Sequence, residues 1–224
     1  MFKKLLLYCI LFYFCSSYSQ DSAPTFSQIL KSNSAKYIEK SNLAFAKNDL
    51  TEGKRLFDSL VNYKLIGTQF DNFTVKTFSS KKVSIDKIKK PLLIITYASW
   101  CVINKGDIPA LNQLARKHKE DLQIMIVFWG NKTDARKTSK LFNKHIQVTY
   151  TGFEENENYE FVSQLKNTLG FPTSYMLDAN KKVVNISRVN NPYLLNIPLE
   201  KALSDSYNQF SSIINFNSTI AAAD

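Results

Sequence analysis

The sequence has 224 residues and a formal net charge of +10, from 29 basic and 19 acidic side chains. This length allows one domain with a substantial core plus extensions. The lysines are scattered rather than interleaved with aromatic residues in a stripe, which favours a solvated basic surface over nucleic-acid binding. Contact with anionic lipid or an acidic partner remains open.

The N-terminal residues have the pattern of an export signal. Two lysines precede an apolar run at residues 5–14, and the small residues Ser17 and Ser19 suit cleavage before Gln20. We expect residues 1–19 to be a signal peptide, because the run is too short to span a bilayer as a helix. An uncleaved anchor and a lipid-bearing Cys15 are the less favoured alternatives.

Residues 24–62 are polar, with apolar side chains that recur roughly every three to four or every six to seven residues, which indicates amphipathic helix. Residues 47–49 interrupt the pattern, so we predict two helices joined by a turn, with Asp49 capping the second. We treat residues 20–64 as an N-terminal helical extension.

From residue 65 onward, strands alternate with helices. Strands are predicted at 73–75, 82–84, 92–97, 122–129, 148–150, 174–177 and 183–186, and helices at 103–119, 133–144, 156–167 and 198–214. This order predicts the α/β class, with a central mixed sheet flanked by helices and finished by an antiparallel hairpin. The main domain spans 65–190, and 191–224 form a C-terminal helix with a tail that we expect to be loose after Phe216.

The cysteine count limits the redox chemistry. Of three cysteines, two lie within residues 1–19, so Cys101 alone remains after cleavage and no internal disulfide can form. Cys101 lies between a predicted buried strand and the helix predicted at 103–119. We expect it at a helix N-terminus, where the helix dipole favours a thiolate. A buried, inert thiol is the alternative.

Three motifs resemble the thioredoxin superfamily, in its exported TlpA-like and redoxin branch. Ala98-Ser99-Trp100-Cys101 resembles the opening of the family's active site, and Ile108-Pro109-Ala110-Leu111 resembles the start of its first active-site helix. Gly170-Phe171-Pro172-Thr173 resembles the loop that holds the family's cis-proline. The resemblance covers roughly residues 65–190 and implies a thioredoxin-like fold.

The resemblance also implies roles for individual residues. Cys101 would be the catalytic nucleophile, and Trp100 would contact substrate beside it. Pro172 would follow a cis peptide bond and face the cysteine, with an ordinary trans loop proline as the alternative. Phe171 and Thr173 would pair with the backbone of an extended substrate peptide.

Two positions depart from the family pattern. Asn104 stands where the family has its second, resolving cysteine, which makes the motif a degenerate CxxC of the form CxxN. Ile95 stands where thioredoxins keep a buried carboxylate. Cys101 could therefore form a mixed disulfide, but release would need an outside thiol.

Other chemistries fit less well. Peroxiredoxins have a Thr three residues before the reactive cysteine, where this chain has Ala98. His118 and His145 lack metal-ligand spacing, and no glycine-rich phosphate loop is present, so we expect neither a metal nor a cofactor.

The sequence predicts an exported protein of a bacterial periplasm or cell envelope, without a stable membrane span after signal cleavage. It would act through Cys101 in thiol-disulfide exchange or client holding, as a monothiol oxidoreductase or isomerase. Its partners would be envelope proteins with thiols or disulfides, or an external thiol, and not nucleic acid. The alternative is a catalytically inactive thioredoxin-fold module for binding or assembly.

Overall fold

The structure is a computed structural model that describes residues 23–98, 100–152, 159–189 and 197–220. The predicted signal peptide at residues 1–19 lies outside these ranges. The helices are α1 (Phe26–Ala46), α2 (Leu50–Leu60), α3 (Asp107–Lys117), α4 (Lys132–Ser139), α5 (Tyr159–Leu169) and α6 (Leu199–Ile220). The strands are β1 (Thr74–Thr77), β2 (Lys82–Ser84), β3 (Leu92–Ala98), β4 (Gln123–Trp129), β5 (Ile146–Tyr150), β6 (Thr173–Leu177) and β7 (Val183–Arg188).

Helices α1 and α2 form the predicted helical hairpin. Its turn places Asn48 in the left-handed region, with φ of 54°. The Asp49 carboxylate then accepts a hydrogen bond from the Glu52 N–H at 2.9 Å, which confirms the predicted cap of α2. A π-helical turn at Val61–Leu65 continues α2 toward the sheet.

The seven strands form one mixed sheet in the order β2-β1-β5-β4-β3-β6-β7. Its centre is parallel, since β4 pairs in parallel with β3 and with β5. Strands β6 and β7 add an antiparallel hairpin beside β3, and β1 and β2 do so beside β5. The predicted α/β class and mixed sheet are confirmed, and the architecture is a thioredoxin-like fold.

Alternate residues of β3 enter two cores on opposite faces of the sheet. Leu92 and Ile94 pack on the face covered by the helical hairpin and α5. Leu93, Ile95 and Tyr97 pack on the face covered by α3 and α6. The N-terminal helices therefore share a continuous core with the sheet, and the loop after β3 rests against the second core.

Some helix bounds differ from the sequence predictions. Helix α3 begins at Asp107 rather than at residue 103, because residues 104–106 form a turn. Helix α4 ends at Ser139, well before residue 144. Helix α6 continues to Ile220, so the chain stays helical beyond Phe216, where we expected a loose tail.

Candidate functional site

Cys101 lies three residues beyond the end of β3, in a loop that folds back on the strand. Its N–H donates to the Ala98 carbonyl at 3.0 Å, and its Sγ accepts from the Ala98 N–H at 3.2 Å. The side chain is half-buried and packs against the core beneath α3 and α6. One side of the thiol is therefore covered while the other remains accessible.

The prediction that Cys101 lies at a helix N-terminus is wrong. Five residues lie between Cys101 and Asp107, where α3 begins. The positive end of a helix dipole acts over about one turn, so α3 does not stabilise the thiolate strongly. Burial raises the pKa of the Cys101 thiol, and the hydrogen bond from Ala98 opposes this only in part. The thiol is therefore less acidic than an ordinary cysteine.

Asn104, predicted from the sequence to be a degenerate resolving position, forms part of the turn that precedes α3. Its Oδ1 accepts from the Gly106 N–H at 3.1 Å, and its backbone carbonyl accepts from the Asp107 N–H at 3.0 Å. Short polar side chains commonly stabilise turns by bonding to a backbone N–H two residues on. Asn104 thus contributes to loop geometry, and its amide cannot act as a nucleophile.

Asp107 is a buried carboxylate that ties this loop to the C-terminal helix. Its side chain is 1% exposed, and Oδ1 accepts from the Ser206 hydroxyl of α6 at 2.7 Å. Its Oδ2 accepts from the Asn104 N–H at 3.2 Å. Burial raises the pKa of the Asp107 carboxyl, and these two hydrogen bonds lower it in part.

Tyr97 places a buried hydroxyl in the same core. The residue is fully buried, and its hydroxyl has no hydrogen-bond partner among the described residues. Burial raises the pKa of Tyr97 well above its ordinary value, and the charges of Asp107 and Cys101 raise it further. Three ionisable groups thus lie around one end of β3, and ionisation of the thiol or of Asp107 disfavours that of the phenol.

An exposed apolar surface flanks the thiol. Trp100 is 64% exposed and Val102 is 70% exposed, on either side of Cys101 in sequence. Exposed aromatic residues next to a reactive group are typical of contact surfaces. Trp100 is exposed next to Cys101, and its role in substrate contact stays a prediction.

The Phe171–Pro172 peptide bond is cis. Pro172 directly precedes β6, whose Thr173 pairs with Thr96 of β3. Because Cys101 follows the end of β3, the cysteine loop and Pro172 lie at the same end of the sheet.

The two neighbours of Pro172 differ in their surroundings. Thr173 is fully buried, and its backbone N–H and carbonyl both bond to the Thr96 hydroxyl, at 3.3 and 3.0 Å. Phe171 is half-buried, with its ring 6.3 Å from that of Trp129. Of the predicted peptide-pairing residues, Thr173 therefore already uses its backbone groups within the sheet.

The two histidines lie apart from the thiol. His118 is the C-cap residue that follows α3, and burial lowers its pKa, while His145 directly precedes β5. Within the described ranges, no cluster of three or more His, Cys, Asp or Glu side chains is arranged to hold a metal ion. Across the same residues, no helix combines the length and apolar character needed to cross a bilayer.

Sequence reasoning missed Asp107, Tyr97 and Ser206. Asp107 stands two residues before Pro109, and an acidic residue near a proline indicates the first turn of a helix. This signal could have placed the helix start correctly. The burial of Asp107 could not be predicted, because it depends on contact with Ser206, 99 residues later.

Comparison with known proteins agrees with this fold. No family model matches the chain. The thioredoxin-like protein YneN of Bacillus subtilis is 24% identical over 121 residues, which are 54% of this chain and 69% of that protein. The strand order of the sheet and this similarity together support the assignment of the chain as a thioredoxin-like protein.

Solved structures overlap the chain more loosely. The thioredoxin domain of a thiol-disulfide oxidoreductase from Bacteroides vulgatus has a TM-score of 0.49 and 17% identity, covering 67% of this chain and 98% of that one. StoA from Bacillus subtilis has a TM-score of 0.40 and 17% identity, covering 53% and 87%. At these TM-scores the overlaps carry no conclusion about activity.

Proposed function

We propose that this protein holds a partner through a long-lived mixed disulfide at Cys101. The supporting observation is a half-buried thiol whose pKa is raised by burial, in a loop with no second cysteine. A thiol with a high pKa is a poor leaving group. A disulfide that includes Cys101 therefore breaks slowly when another thiol attacks the partner's sulfur.

The proposed exchange balances without any added oxidant. The Cys101 thiolate attacks one sulfur of a partner disulfide, a new S–S bond forms, and the other partner sulfur leaves as a thiolate that takes up a proton. An outside thiol then attacks the mixed disulfide, and Cys101 leaves as a thiolate and is reprotonated. The protein ends unchanged, which suits isomerisation or client holding better than net oxidation.

The experiment measures the lifetime of the mixed disulfide. A cysteine peptide activated with thionitrobenzoate is reacted with the purified protein, and the adduct is followed by mass spectrometry with and without added glutathione. We expect a persistent adduct that glutathione releases. The variant Asn104→Cys should release the peptide without glutathione, because it supplies an internal thiol, whereas Asn104→Ser should behave as the parent protein. Absence of an adduct in the parent protein would reject the proposal.

A catalytically inactive binding module is the second candidate. It is favoured by the start of α3 at Asp107 and by the raised pKa of Cys101, which both reduce the reactivity of the thiol. In that case Cys101→Ser would bind the same partners with unchanged affinity. A loss of partner capture in Cys101→Ser would reject it.

We also propose export to the periplasm or cell envelope, with residues 1–19 removed and residues 65–190 as the thiol-bearing domain. The support is the basic start and short apolar run of the sequence. The N-terminus of the protein purified from the envelope fraction tests this, and we expect it at Gln20. An intact Met1 on that protein would contradict cleavage.

A further inference from the structure

A groove of about 700 Å³ runs from Cys101 along the outer face of α3. Its lining includes the half-buried apolar side chains Ile103, Ile108 and Pro109, together with the exposed Leu141. We call this surface the α3 groove. Its volume is in the range of sites that bind small ligands or short peptides.

The charges of the α3 groove have one sign. Lys105 and Arg116 line it and are exposed, and no carboxylate is among its lining residues. Neither cation has an ion-pair partner within the described part of the chain. Residues 101–144 carry nine Lys and Arg against four Asp and Glu, so the surroundings also favour an anion.

One wall of the α3 groove is held in place by hydrogen bonds. The Asn112 side chain donates to the Leu141 carbonyl at 2.9 Å and accepts from the Asn143 N–H at 2.7 Å. The Asn143 side chain in turn donates to the Asn112 carbonyl at 2.7 Å. The groove is therefore formed before any partner binds, which lowers the entropic cost of binding.

The spacing of these groups sets the length of the occupant. Pro109 and Arg116 are seven helical residues apart, which corresponds to about 10 Å along α3. An extended peptide covers that distance with about three residues. A carboxylate that reaches Arg116 would therefore lie about three residues beyond the peptide residue that contacts Pro109.

We propose that the α3 groove binds an acidic, extended peptide segment of the partner protein, next to the partner's reacting cysteine. This inference rests on the proposed function, in which Cys101 holds a partner protein through a mixed disulfide. It adds the chemical class of the partner segment that lies next to the disulfide. Apolar residues near the cysteine would contact Ile108 and Pro109, and acidic residues further along would approach Arg116, while Lys105 adds positive charge at the cysteine end of the groove.

The first experiment measures binding without thiol chemistry. The Cys101→Ser protein is titrated with two fluorescent peptides, Ser-Leu-Gly-Glu-Glu and its amide counterpart Ser-Leu-Gly-Gln-Gln. We expect the acidic peptide to bind about three- to tenfold more tightly at low salt, because each exposed ion pair contributes modestly. Adding Arg116→Gln should abolish this preference, whereas Lys64→Gln, which makes the same charge change on the helical hairpin, should retain it.

The second experiment separates this inference from the proposed function. The parent protein is reacted with the corresponding cysteine peptides activated with thionitrobenzoate, and faster reaction of the acidic peptide is expected. Equal rates and equal affinities for both peptides would overturn the groove assignment while mixed-disulfide formation stands. Absence of any adduct, with the acidic preference retained in Cys101→Ser, would support the groove and reject the thiol function.

Discussion

Gly106 packs directly against the C-terminal helix, which makes Gly106→Ala an informative substitution. A Cβ atom at this position would lie 2.1 Å from the Ala202 carbonyl oxygen and 2.7 Å from the Leu203 nitrogen, both backbone atoms of α6. The φ angle of Gly106 is −84°, which any residue can adopt. The expected effect is therefore steric and comes from contact with α6.

The magnitude follows from the overlap. Ordinary contacts begin near 3.4 Å, so the loop and α6 must separate by about 1.3 Å. Overpacking typically costs about 1–3 kcal/mol, and rigid backbone on the opposing side favours the upper end. The same movement would stretch the buried bond between Ser206 and Asp107, which adds about 1 kcal/mol. We expect Gly106→Ala to lower the free energy of unfolding by about 3 kcal/mol.

Urea unfolding followed by circular dichroism measures this loss, and alkylation of Cys101 shows whether the loop has moved. We expect a midpoint lower by about 1–2 M and faster alkylation. Gly53→Ala is the matched control, because a Cβ there meets nothing within 4 Å and helix α2 should gain about 0.5–1 kcal/mol. Equal midpoints for Gly106→Ala and the parent protein would refute the reasoning.

Two further predictions concern the buried polar groups. Tyr97→Phe should stabilise the protein by about 1 kcal/mol in urea unfolding, because it removes a buried hydroxyl without a partner among the described residues. Tyr37→Phe should destabilise it by about 1–2 kcal/mol, because the Tyr37 hydroxyl accepts from Arg188 at 2.8 Å; the reverse order of the two variants would contradict this. Because the pKa of the Asp107 carboxyl is raised, the folded state binds the carboxyl proton more tightly than the unfolded state does. The contribution of Asp107 to the free energy of unfolding therefore falls as the pH rises from about 4, the pKa in the unfolded chain, through the pKa in the folded state. Unfolding of the parent protein and Asp107→Asn at a series of pH values should show the parent losing stability relative to the variant over that range, and a constant difference would rule this out.

Sequence patterns predicted most of the fold because its signals are local. The apolar run at 92–97 is a strand buried on both faces, and the interruption at 47–49 is the turn before the capped helix α2. The start of α3 was missed because apolar periodicity extends back to Ile103 and hides the turn formed by Asn104. A turn of this kind depends on side-chain hydrogen bonds, which periodicity does not report.

The electrostatics of the candidate site were less predictable than its position. The motif around Trp100 and Cys101 located the thiol, but the expected acidity depended on a helix start predicted at residue 103, four residues before the observed start at Asp107. The burial of Asp107 involves contact with Ser206 of α6, which is distant in sequence, and Tyr97 lies in the core that α3 and α6 cover. Long-range packing of this kind sets pKa values and leaves no local pattern.

The pH dependence of Cys101 alkylation tests the central claim most directly. The rate of reaction with iodoacetamide is measured from pH 6 to pH 11 in the folded protein and in urea. We predict a midpoint in the folded protein above that of the unfolded chain, because burial disfavours the thiolate. A midpoint well below the ordinary cysteine value of about 8.5 would contradict the account, since it would indicate an activated thiol suited to rapid turnover rather than to holding a partner.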